Sequence, residues 1–73
     1  MVESHDRNRA VLTARELEVL AWVKHGRNTS EIASILEISE RTVKFHISNI
    51  IRKLDAENRL HALVIAIEQK LLS

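Results

Sequence analysis

The chain contains no cysteine, no proline and a single glycine, Gly26. Without cysteine, disulfides and thiolate metal sites are excluded together, so the stability of 73 residues must come from well-packed helices or a staple of another kind. Leu, Ile, Ala, Glu, Arg and Lys, mostly good helix formers, dominate the sequence. This composition predicts one all-α domain. No apolar run approaches the roughly eighteen residues of a membrane span, and Glu3 and Asp6 precede any apolar stretch, which is unlike a signal peptide. A cytoplasmic protein with no membrane partner is therefore expected. Net charge, at +1, is too small to identify a nucleic-acid binder, so the placement of charge has to carry that question.

Residues 1–10 are polar and without apolar periodicity, as expected of a flexible lead-in or the remnant of an interdomain linker. The domain is expected over residues 11–73, with helices at about 14–25, 29–37, 40–54 and 59–72. Thr13 and Glu16 stand at capping-box spacing, Leu12 and Leu17 at the positions of a hydrophobic staple, and Gly26 where a left-handed cap closes the first helix. Leu17, Leu20 and Val23 then share one face, with Val19 and Trp22 beside them. Asn28 with Glu31 offers a second capping box, and Ser39 caps the third helix after a turn of only Glu37 and Ile38. Helices joined so tightly must cross at a large angle.

Ala33 is small enough to let the third helix approach the second, and Ile32, Leu36, Ile38 and Val43 supply the apolar positions a helix-turn-helix needs. On the third helix Val43, Ile47, Ile50 and Leu54 form a narrow core stripe. Arg41, Lys44, Phe45, Ser48 and Arg52 project opposite, and no acidic residue lies between Glu40 and Asp55. A merely solvated face usually mixes signs, as the first helix does with Arg15, Glu16, Glu18 and Lys24. An all-positive face suits the major groove of double-stranded DNA. Lys44 and Arg41 can donate to guanine edges or phosphates, Ser48 can serve either base type, and Phe45 can meet thymine methyl groups. Thr42 and Asn49 on the flank, Ser39 with the free amides beside it, and Thr29 and Ser30 at the start of the second helix offer phosphate-binding chemistry. Lys53 adds one further positive charge.

The fourth helix is apolar nearly all round. Ala62, Leu63 and Ala66 can cover the core, which leaves Leu60, Val64, Ile67 and Leu71 as a second stripe. A second copy across a two-fold axis would bury it and place two reading helices in successive major grooves on an inverted repeat. The plainer alternative is that the first ten residues or another domain cover it. A catalyst is not expected, because His5, His25, His46 and His61 show neither a zinc-like pairing nor a glycine-rich phosphate loop nearby. His46 reads as a side chain at the edge of the core. No cofactor is implied.

The stretch from "LTARELEVLAW" through "TSEIASILEISERTVKFHISNIIRKL" resembles the LuxR-type helix-turn-helix domain, also called the LuxR/FixJ output domain, over nearly everything after the first ten residues. Trp22, "TVKFH" and "SNIIRKLDAENR" look more like members that follow an acyl-homoserine-lactone domain in quorum sensing than those that follow a receiver. The resemblance implies a four-helix domain that binds DNA as a homodimer, with the third helix in the major groove and the fourth at the dimer contact. On that pattern Lys44, Phe45 and Ser48 face bases, and Thr42, Asn49 and Lys53 face phosphates. Ser48 stands where Lys or Arg is common among members; against the wider helix-turn-helix pattern Glu37 replaces the usual turn glycine and His46 a more general apolar residue, and both departures are familiar within LuxR-type domains. RNA polymerase is a further implied partner, and any small-molecule signal would bind a domain outside this segment. Two other readings are an anti-activator that pairs with a longer relative through the fourth helix without reading DNA, and a promoter-recognising sigma-factor region.

Overall fold

The computed structural model describes residues 11–73, and the expected lead-in over residues 1–10 lies outside them. Four helices follow in order: α1 (Ala14–Lys24), α2 (Thr29–Leu36), α3 (Glu40–Leu54) and α4 (Arg59–Glu68). Each begins at a side-chain cap that satisfies an otherwise orphaned amide. Thr13 Oγ1 accepts the Glu16 N–H at 3.1 Å while Glu16 Oε1 accepts the Thr13 N–H at 2.9 Å. Asn28 and Glu31 repeat this reciprocal box at 2.8 and 3.0 Å. Ser39 Oγ accepts the Thr42 N–H at 3.0 Å. Asn58 Oδ1 accepts the His61 N–H at 2.8 Å, and His61 Nδ1 in turn accepts the Glu57 N–H at 3.0 Å.

The helix ends share one device as well. Gly26, Glu37, Asp55 and Lys70 adopt left-handed backbone, with φ of 78°, 60°, 55° and 62°. The amide that follows each of them reaches back across the last turn: Arg27 to Trp22, Ile38 to Ala33, Ala56 to Ile51 and Leu71 to Ala66. This is the Schellman pattern, and only one of the four sites has the glycine that takes it without strain. At Glu37 it makes the sharp corner between α2 and α3.

The same closure corrects the expected end of the fourth helix. Lys70 turns the chain at φ 62°, so α4 stops at Glu68 instead of running to residue 72. Leu71 and Leu72 fold back against the core. Apolar character alone cannot distinguish such a return from continued helix. Helices α1 and α2 each end one residue before the expected position, at Lys24 and Leu36.

Val19 and Leu20 of α1, Ile32 and Ala33 of α2, Val43, Ile47, Ile50 and Leu54 of α3, and Ala62 and Ala66 of α4 form the buried core. The α3 stripe is the one its spacing predicts. On α1 the buried line runs through Glu16, Val19 and Leu20 and leaves Leu17 half-buried, a shift of one position from the expected face. Helix α3 packs against all three other helices, and α4 also meets α1. Burying a side chain such as Leu20 or Ile50 contributes about 1.5 to 3 kcal/mol. Because α3 is gripped on three sides, only its remaining face is left to meet a partner.

Candidate nucleic-acid interface

That remaining face carries Arg41, Lys44, Phe45, Ser48 and Arg52, all exposed. Phe45 is 62% accessible, much more than an aromatic ring that serves the core. Its ring centroid lies 6.0 Å from that of half-buried His46, so the pair brackets the edge of the surface. Among the described residues, no carboxylate pairs with Arg41, Lys44 or Arg52; the two ion pairs present are Arg15 with Glu18 and Lys53 with Glu16. An unneutralised row of cations along one side of a rod is an electrostatic match for a polyanion.

The flanking residues are arranged by local hydrogen bonds. Thr42 is half-buried, with its hydroxyl 2.9 Å from that of Ser39, which places two hydroxyls together at the N-terminus of α3. Asn49, also half-buried, accepts from Arg52 Nη2 at 2.6 Å and so restrains that guanidinium along the helix. At the start of α2, Ser30 is exposed and Thr29 Oγ1 accepts from Arg59 Nη2 at 3.2 Å. Arg59 thereby carries a positive charge from α4 to the amides that open α2. Sequence reasoning did not single it out, since its partner is 30 residues away.

Lys53 differs from the other predicted contacts. Its ammonium lies 2.8 Å from Glu16 Oε1 and 3.4 Å from the carbonyl of Val11. Glu16 is 3% exposed. Burial pushes its carboxyl pKa up, but the hydrogen bonds from Lys53 and the Thr13 amide, with the charges of Lys53 and His46, outweigh burial and hold it below the ordinary value. The sequence assigns Glu16 both to a capping box and to the solvated, mixed-sign face of the first helix; the box is present, but burial removes Glu16 from the solvated face. The signal that it faces inward was its place one turn ahead of Val19 and Leu20.

A second surface lies on α4. Leu60, Val64 and Ile67 are 65%, 44% and 42% exposed. Leu71, expected in the same stripe, instead lies beyond the helix end and packs half-buried against the core, because the Lys70 turn directs it inward. The exposed apolar stripe therefore has three members. Among the described residues no helix is long and apolar enough to cross a membrane.

Three comparisons place this architecture. Residues 10–66 match the model of the family described as bacterial regulatory proteins, luxR family. Transcriptional activator protein VanR of Vibrio anguillarum is 58% identical over 59 residues, 81% of this chain and 25% of the relative. The quorum sensing-dependent transcriptional regulator RpaR of Rhodopseudomonas palustris is 52% identical over 61 residues, 84% of this chain and 24% of the relative. The chain thus spans about a quarter of the length of these curated relatives. The solved structure of the transcription factor GerE superposes with a TM-score of 0.84 at 38% identity, covering 89% of this chain and 97% of that one. Four capped helices, a left-handed corner ahead of a cationic third helix, and a family match over most of the sequence agree: the chain is a helix-turn-helix domain of the LuxR family of bacterial regulatory proteins.

Proposed function

We propose that the chain reads double-stranded DNA for a bacterial transcription regulator, with α3 in the major groove. In this reading Lys44, Phe45 and Ser48 face base edges. Arg41 and Arg52 hold the backbone or neighbouring bases, and Thr42, Asn49, Ser39, Thr29 and Ser30 receive phosphate oxygens. The observation that carries the reading is the exposed, acid-free outer face of α3 on a helix otherwise enclosed by its neighbours. Likeness to the transcriptional activator VanR and the quorum sensing-dependent regulator RpaR supports the same role. Two copies pair through Leu60, Val64 and Ile67 of α4, so the operator is an inverted repeat. RNA polymerase is a further partner, the setting is the cytoplasm, and the domain carries no catalytic activity.

Gel shifts at two salt concentrations, with duplexes selected from a random pool, test this directly. A DNA reader binds duplex, loses affinity steeply with salt and selects symmetric half-sites. A module that pairs with a longer relative through α4 without reading DNA fails to shift any duplex at either salt.

A further inference from the structure

We propose that Glu16 and Lys53 form a clasp that sets the pose of the reading helix on DNA, with Lys53 acting as a positioning residue and not as a phosphate ligand. The inference rests on the DNA-reading role proposed above. The Glu16 side chain is 4% exposed and that of Lys53 30%. Lys53 is the one cation that pairs with this carboxylate among the described residues. Turning the ammonium out to a phosphate would strand a carboxylate inside the fold, and an uncompensated buried charge is among the costliest defects a small domain can carry.

The geometry also gives the pair a task. A single oxygen, Glu16 Oε1, receives the Thr13 N–H at 2.9 Å and the Lys53 ammonium at 2.8 Å. The same ammonium reaches the Val11 carbonyl. The chain entering α1 and the last turn of α3 are therefore fastened at one point. Along the rest of α3 the inner face is held by Val43, Ile47, Ile50 and Leu54, and apolar burial is non-directional. The Lys53 ammonium adds a charge-assisted bond to Glu16 Oε1 and a second contact to the Val11 carbonyl, so it ties the end of α3 to the start of α1 at a point the apolar stripe does not reach. Its location, one residue after Arg52, puts this restraint beside the reading face.

The test uses the 73-residue chain and one selected duplex, with Glu16→Gln, Lys53→Gln, Lys53→Arg and Lys44→Ala. Gln serves as well as Glu in a capping box, so Glu16→Gln removes charge while keeping the helix start. The clasp predicts that Glu16→Gln weakens binding on the order of tenfold with an unchanged salt slope. Lys53→Gln should do the same, and Lys53→Arg should restore most of the affinity. If Lys53 instead held a phosphate, Glu16→Gln would leave binding equal or tighter by releasing the ammonium, and Lys53→Gln would lower the salt slope by about 1. Either result overturns the proposal. Circular dichroism verifies the fold, and if Lys53→Gln does not fold, Glu16→Gln alone decides by the direction of its effect. Wild-type protein that binds no duplex, or Lys44→Ala that binds like wild type, overturns the DNA-reading role itself, a result separable from failure of the clasp alone.

Discussion

Helices α3 and α4 are neighbours that each bury one face in the same core, yet the faces they leave outside are opposite in chemistry. On α3 the exposed positions are Arg41, Lys44, Phe45, Ser48 and Arg52; on α4 they include Leu60, Val64 and Ile67. The first face gains nothing by meeting apolar surface, since its cations would be desolvated without partners. The second gains nothing from a polyanion. Solvated helix faces usually mix charges of both signs, as α1 does with Arg15 and Glu18. On the reading proposed above, the contrast assigns α3 to a polyanion and α4 to an apolar partner, two surfaces that the near-zero net charge of the chain conceals.

The sharpest way to break this contrast is to make α4 polar. Leu60→Asp with Val64→Asp should abolish dimers in sedimentation while the monomer stays helical, and binding to an inverted repeat should fall about a hundredfold or more as the effective concentration of the second half-site is lost. A double variant that still sediments as a dimer contradicts the role given to α4. The matching change on α3, Lys44→Ala, should cost about 1 to 3 kcal/mol and relax preference at one base position if it reads a base. An even loss across cognate and scrambled duplexes would reassign it to phosphate.

Two smaller effects sharpen the comparison through stability. Helix α3 is fastened to α1 by a buried carboxylate, and α4 has no such tie to an acid among the described residues. Because the Glu16 carboxyl titrates below its ordinary value, the stabilisation it supplies is complete above the unfolded carboxylate range and is lost as pH falls through the lowered value. Thermal melts followed from neutral to acid pH should therefore show a flatter acid limb for Glu16→Gln than for wild type. The helix ends differ too, since α3 closes on Asp55 and α4 on Lys70, both left-handed. Asp tolerates that conformation better than Lys. Lys70→Gly should accordingly raise stability in denaturant melts by about 1 kcal/mol, and Asp55→Gly by less.

Much of this was legible in the residues themselves. Thr13, Asn28 and Ser39 are caps whose side chains act within three positions, so local chemistry located the starts of α1, α2 and α3 and the corner between α2 and α3. The acid-free run after Glu40 located the exposed cationic face of α3 for the same reason: a helix wheel needs no tertiary knowledge. What stayed hidden depends on distance or on backbone sign. Glu16 with Lys53 and Arg59 with Thr29 join residues 37 and 30 positions apart, and no local pattern announces either pair. The end of α4 was missed because Lys70 takes a conformation that glycine usually marks, and no glycine stands there to mark it.

On the proposed reading, the outer face of α3 is the side of the molecule that meets DNA. Amide chemical-shift mapping during titration of labelled protein with a selected duplex tests it most directly. The account predicts that the largest changes fall on Arg41, Lys44, Phe45, Ser48 and Arg52, with smaller ones at the starts of α2 and α3. Changes centred on the groove lined by Trp22, Arg27, Glu31, Ser34 and Ile35, with the outer face of α3 undisturbed, would contradict it.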